Sequence, residues 1–173
     1  MHPGPFLDRS TFDPWLQERA ALDDPFTYAI ADATSGVALG LAALMRVDPP
    51  NRVIEVGSIV YSHALQRTRG ATEAMYLLAR YAFDELGYRR YEWKCNALNA
   101  PSRAAALRLG FTFEGVFRQH MIVKGRNRDS AWFSMLDAEW PERKAAFERW
   151  LAPENFDLDG RQRTRLRHNS FNI

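Results

Sequence analysis

Residues 53–86 read VIEVGSIVYSHALQRTRGATEAMYLLARYAFDEL: a strand, a short basic turn and a helix in immediate succession. The β-branched run Val53, Ile54, Val56, Ile59 and Val60 makes the strand. After Arg67-Thr-Arg-Gly-Ala-Thr72, the apolar residues Met75, Leu78, Ala79, Ala82, Phe83 and Leu86 recur at helical spacing, and Gly87 stands where a left-handed residue ends such a helix. A glycine-containing turn at a helix N-terminus aims successive backbone N–H groups outward, where unpaired donors and the helix dipole favour an anion. Arg67 and Arg69 add positive charge at the same mouth. The segment has the chemistry to hold a phosphate.

Upstream, residues 1–14 read as a loop punctuated by Pro3, Gly4, Pro5 and Pro14, and 15–22 as a short helix broken at Asp23-Asp-Pro25. A hairpin follows, 26–33 and 37–47 turning at Thr34-Ser-Gly36, then a turn at Asp48-Pro-Pro-Asn51 and the strand 53–62. Downstream come a strand at 88–96 and a helix opened by Asn99 with Pro101 early and closed at Leu109-Gly110. Strands 111–121 and 131–136 flank a polar turn at 124–128, and a last helix spans 142–151. Strands that first meander and then alternate with helices argue an α+β fold, a mixed and mostly antiparallel sheet with helices on both faces. We expect one domain at 15–151, preceded by the loop 1–14 and followed by a basic tail at 152–173, disordered or loosely docked.

The chain has 173 residues and is 46% apolar, enough for one packed core. Its 23 Lys and Arg against 21 Asp and Glu give no global basic surface, so nucleic acid is not expected as a partner. A single cysteine, Cys95, excludes an internal disulfide and fits a reducing, cytoplasmic setting; scattered histidines give no metal-binding spacing, and no metal is expected. No apolar run approaches the roughly 20 residues that cross a bilayer, so no membrane association is expected.

Two motifs resemble one family, the GCN5-related N-acetyltransferases (GNAT), and within it the branch similar to ribosomal-protein-alanine N-acetyltransferases. Arg67-x-x-Gly70-x-Thr72 is similar to the family's acyl-CoA pyrophosphate loop, Q/R-x-x-G-x-G/A. Asn99-x-x-Ser102, followed by Leu109-Gly-Phe111 and Glu114-Gly115, resembles this branch's N-x-x-S…G-F…E-G run. The likeness covers about residues 25–151. It departs at Thr72, which replaces a small residue and could cap the helix or donate to phosphate, and at the N-terminus, where a first strand and helix expected of the family are missing. The strand 26–33 is then expected to be an exposed sheet edge, open to self-association as a homodimer.

The resemblance implies an acetyl-CoA-dependent enzyme that transfers acetyl directly to a primary amine, a protein N-terminus or a small molecule. It implies that the strand bearing Ile59, Val60 and Tyr61 splays from 88–96 to admit the pantetheine arm, with a main-chain N–H near Val60 or Tyr61 polarising the thioester carbonyl. The diphosphate falls to Arg67, Thr68, Arg69, Gly70, Ala71 and Thr72, and the pantetheine arm to Asn99. Glu55 is the candidate general base and Ser102 the candidate acid toward the leaving thiolate, with Tyr61 as a second acid. His63 and His120 lie within possible reach of the acceptor, Cys95 reads as a small core residue, and Lys124, Arg126 and Arg128 mark a basic hairpin tip. A catalytically silent acyl-CoA-binding domain is the alternative.

Overall fold

A computed structural model describes Gly4 and residues 6–168. The strands are β1 (Phe26–Ala31), β2 (Ala38–Asp48), β3 (Val53–Tyr61), β4 (Arg90–Asn96), β5 (Thr112–Val123) and β6 (Arg126–Leu136), and the helices α1 (Arg9–Ala20), α2 (Arg69–Arg80), α3 (Ala100–Arg108) and α4 (Trp140–Leu151). The strands form one sheet in the order β1-β2-β3-β4-β6-β5. Only the β3 and β4 pair is parallel, so the sheet is mixed and mostly antiparallel, as expected.

Side chains alternate across the strands. Val56, Tyr91, Trp93, Phe133 and Met135 point to one face and enter the core with α2 and α4. Phe83 meets Tyr91 edge-on at 5.8 Å and stacks on Trp140 at 5.1 Å. Each such ring, taken out of water, contributes about 1.5–3 kcal/mol. After Arg80 the helix widens into a π-helical turn, Tyr81–Glu85, which brings Asp84 to accept from Trp140 Nε1 and Lys144 Nζ, both at 2.6 Å, and so ties α4 to α2. At the far edge of the core face, Phe26, Tyr28, Leu44, Val47, Ile54, Tyr81 and Leu86 line an apolar groove beside β1, which is the expected sheet edge.

The structure changes three boundaries. The first helix starts at Arg9, inside the segment read as loop, because Asp8 caps it by accepting from Thr11 N at 3.0 Å; Pro14 lies within it. The helix buries no residue, which is why apolar spacing did not reveal its start. The hairpin turn shrinks from 124–128 to Lys124 and Gly125, whose φ of 49° and 72° suit a tight two-residue turn, so Arg126 and Arg128 are strand residues. The tail is docked as far as it is described. Asn155 donates to the Trp150 carbonyl at 2.8 Å and accepts from Thr164 N at 2.9 Å, Trp150 Nε1 donates to Gln162 at 2.9 Å, and Leu166 is buried. The readings of residues 1–3 and 5 as loop, and of 169–173 as tail, lie outside the described residues.

His168 ends this docked segment edge-on to Phe147 at 5.4 Å, where burial, aided by the nearby Arg143 charge, pushes its pKa down to about 4. An unfolded histidine titrates near 6.5, so below that pH the unfolded chain binds a proton that the folded chain refuses. The neutral imidazole's contribution is complete above about pH 6.5 and is lost progressively as pH falls toward 4. Thermal unfolding is therefore expected at lower temperature at pH 5 than at pH 7.5, with the gap narrowed in His168→Gln; an equal gap in parent and variant removes His168 from the account.

Candidate active site

The ladder between β3 and β4 runs from Val53 opposite Arg90 to Val56 opposite Trp93, although β3 continues to Tyr61 and β4 to Asn96. The strands part because β3 bulges. Its register against β2 slips between Leu41 and Ala43, where Ser58 takes the left-handed region with φ 51°. Two more non-glycine residues at bulges share that conformation, Arg46 of the adjacent β2 at 50° and Gln119 of the edge strand β5 at 51°. A side chain pins each bulge. Asp24 accepts from Arg46 N at 2.9 Å, Asp129 accepts from Gln119 N at 2.7 Å, and Arg19 of α1 donates to Ser58 Oγ at 3.1 Å.

A cleft of about 280 Å³ fills the gap. Strand alternation divides its lining in two. On the core face stand Val56, Trp93 and Cys95 with Asn99 and Ser102 from α3. On the opposite face stand Glu55 and Lys94, joined by Arg46, His120 and Arg128. Glu55 is buried, with 3% of its surface exposed, and both its oxygens are engaged: Arg46 Nη1 lies 2.9 and 2.8 Å from them and Lys94 Nζ lies 3.0 Å from one. The charges continue across the sheet. Lys94 meets Glu92 at 2.7 Å, Arg90 lies 2.7 Å from Glu92 and 2.6 Å from Glu114, and Glu114 accepts from Ser134 at 2.7 Å. Lys94 Nζ also sits 3.7 Å above the Trp132 ring.

On the core face, Asn99 Oδ1 caps α3 by accepting from Ser102 N at 3.1 Å, which leaves its amide NH2 free of that task. Ser102 Oγ accepts from Trp93 Nε1 at 3.1 Å, which leaves its own O–H to donate, and Cys95 is one neighbour within its reach. Burial pushes the Cys95 thiol up, opposite to what an activated nucleophile needs. His120 lines the cleft with Nδ1 2.9 Å from Ser130 Oγ, whereas His63 lies on an exposed turn away from it.

At the start of α2, Thr68 is the N-cap and accepts from Ala71 N at 3.1 Å. The amides of Arg69 and Gly70 come too early in the helix for an intrahelical partner. Arg67, at φ 61°, turns the chain into the helix. A Cβ added at Gly70 would meet nothing nearer than Leu65 Cδ1 at 3.7 Å, so protein packing leaves that face of the turn open to a ligand. Three residues differ from their expected places. Thr72 neither caps the helix nor faces outward; it is buried and accepts from Arg108 Nη2 at 2.9 Å, tying α2 to α3. Arg69 turns from the loop mouth to the Leu151 carbonyl at the end of α4 and lies over Phe156 at 4.9 Å. Tyr61 aims its hydroxyl at the Ala71 carbonyl at 3.4 Å, and burial pushes its pKa up to about 12. That hydroxyl is spent on α2, outside the cleft lining.

Lys94 and Arg46 were not singled out from sequence, yet the signal exists. Arg90-Tyr-Glu-Trp-Lys94-Cys alternates charge with apolar bulk, which places every charge of β4 on one face.

Known proteins share the fold. A family model described as an acetyltransferase (GNAT) domain matches residues 2–112. The Bacillus subtilis protein named "Putative ribosomal N-acetyltransferase YdaF" is 32% identical over 109 residues, covering 63% of this chain, and the chain spans 59% of that relative's length. The crystal structure of a GCN5-related N-acetyltransferase from Brucella melitensis is 56% identical with a TM-score of 0.92, over 94% of this chain and 73% of that one. A probable GNAT-family acetyltransferase structure from Chromobacterium violaceum is 49% identical with a TM-score of 0.75, over 80% of this chain and 69% of that one. With a matched domain, a sheet that parts after Val56 and Trp93 and an anion-ready α2 N-terminus, this chain belongs to the GNAT acetyltransferase family.

Proposed function

We propose that the chain transfers an acetyl group directly from acetyl-CoA to a primary amine, either a protein N-terminus or a small molecule. The observation that carries this reading is the two-sided cleft, with uncharged hydrogen-bonding groups on its core face and ionic groups on the other. The Bacillus relative's name supports a protein N-terminus among the acceptors. An α-amino group with a pKa near 8 is neutral far more often than a lysine near 10.4, which favours the same choice. A cytoplasmic setting belongs to this reading, supported by the single buried thiol, Cys95.

Acetyl-CoA fits the residues present. The loop 67–72 offers main-chain donors and an open face at Gly70, and Asn99 offers its amide to the pantetheine arm. The edge of β3 bearing Ile59, Val60 and Tyr61, which runs on beyond its ladder with β4, would hold the same arm through its main-chain groups. When bound, the coenzyme supplies a thioester carbon open to attack. Ser102, already accepting from Trp93, donates its proton toward the leaving sulfur. Glu55 holds the ionic face and takes the amine's proton, directly or through water. A second reading assigns that proton to His120, because Arg46 and Lys94 occupy both Glu55 oxygens while His120 has one ring nitrogen beyond its Ser130 contact.

Free thiol release from acetyl-CoA, measured across N-terminal peptides and small amines, tests the proposal; CoA binding without acceptor-dependent release would leave only a silent coenzyme-binding domain. Gly70→Val is expected to leave the unfolding midpoint close to the parent's, since the site is open, and to weaken CoA by about tenfold or more through lost main-chain hydrogen bonds to a charged group. Equal CoA affinity in calorimetric titration refutes the loop assignment. For the base, Glu55→Gln is expected to slow transfer by about 100-fold or more with CoA binding retained. If His120→Gln instead slows transfer by about 100-fold or more while Glu55→Gln leaves it near the parent rate, the proton goes to the histidine.

A further inference from the structure

Two arginines at the rim of the cleft have no carboxylate partner among the described residues. Arg128, at the start of β6, shares the sheet face of Ser130 and Trp132 and lines the cleft beside His120. Its Nε is buried with no hydrogen-bond partner among the described residues. Arg19 of α1 reaches Ser58, which also lines the cleft, through Nη2 at 3.1 Å, and its Nε is likewise buried and unpartnered among the described residues. The other cations that line the cleft are neutralised within the protein: Arg46 by Glu55, and Lys94 by Glu55 and Glu92. Of the four charged residues that line the cleft, Arg46, Lys94 and Arg128 are positive and only Glu55 is negative.

A guanidinium that lines a cleft without a carboxylate partner offers its outer N–H groups to a ligand oxygen, and its planar fork matches a carboxylate. Arg128 stands on the face away from α2, so the coenzyme's diphosphate at the α2 N-terminus lies across the sheet from it. We propose that the acceptor is an anionic amine, one whose own molecule carries a carboxylate close to the amino group, and that Arg128 receives this carboxylate with Arg19 reinforcing the field from the other rim. The proposal rests on the acetyl-transfer reading and names its acceptor class. Two sources share the chemistry: a free amino acid through its α-carboxylate, and a peptide with Asp or Glu close behind its N-terminus. The same charges disfavour polyamines and basic N-termini.

The test uses the whole chain with acetyl-CoA and matched acceptors: peptides with Asp, Asn or Lys at the second position, amino acids paired with their amides, and a polyamine. Acidic acceptors are expected to exceed their neutral isosteres by about tenfold in kcat/KM, the value of one charge-assisted hydrogen bond. The advantage should shrink as salt rises. Whichever series carries the preference, peptides or amino acids, identifies the source. In Arg128→Gln the acidic-to-neutral ratio should collapse toward one, chiefly through KM; Arg128→Lys should restore part of it and Arg128→Glu should reverse it. Equal or better turnover of the polyamine or Lys peptide, or an unchanged ratio in Arg128→Gln, overturns the proposal. If no acceptor yields free thiol, the transfer reading fails by itself. Equilibrium binding of the same labelled peptides to the CoA-saturated chain then decides the charge preference, with equal affinity for Asp and Lys peptides counting against it.

Discussion

The hydrogen-bond ladder between β3 and β4 stops after Val56 and Trp93, and the candidate chemistry of the chain depends on that stop. Two parallel strands in the middle of a sheet ordinarily stay paired, because each unmade backbone bond in a dry interior costs about 1–3 kcal/mol. Here the opening is built by the bulge of β3 at Ser58, flanked by that of β2 at Arg46, and each of these left-handed residues is held by a neighbouring side chain. Non-glycine residues in such backbone conformations store roughly 1–3 kcal/mol apiece, and strain of that kind persists only where its surroundings enforce it. The enforcing groups, Asp24 and Arg19, both come from the end of α1 and the segment that joins it to β1, so the cleft depends on a stretch of chain distant in sequence from β3.

That arrangement sets the limit of what the sequence discloses. Strand, loop and helix across 53–86 were legible because β-branching, glycine and helical apolar spacing are local signals, and the motifs at Arg67 and Asn99 lie on contiguous residues. The sheet edge at β1 and the parting of the strands followed from the family likeness. Partner choice was not legible, because it depends on contacts distant in sequence. Arg69 and Thr72 sit in a loop whose pattern suggests a ligand, yet Arg69 is bound to the end of α4 and Thr72 to Arg108. Glu55 read as the candidate general base, but its partners were not legible: β2 brings Arg46 and β4 brings Lys94 to it. The tail looked solvated because its arginines outnumber the anchors, Asn155, Phe156 and Leu166, that dock it.

The core face and the ionic face of the sheet divide the work. One packs rings and helices, offers the coenzyme uncharged donors, and keeps Cys95 buried and inert. The other carries every charge of β4 and, with the rim arginines, sets the field over the cleft. A single strand such as β4 serves both because its residues alternate.

From Arg46 through Glu55, Lys94, Glu92 and Arg90 to Glu114, positive and negative groups follow one another in unbroken contact across four strands. Such a row behaves as one electrostatic object. Neutralising an interior carboxylate leaves two cations facing each other, while neutralising a cation with its carboxylate neighbour restores the balance. Substitutions along the row are therefore coupled, and the cost of any pair departs from the sum of its singles. A change on the ionic face that keeps stability therefore takes two exchanges at once, one strand in concert with the next.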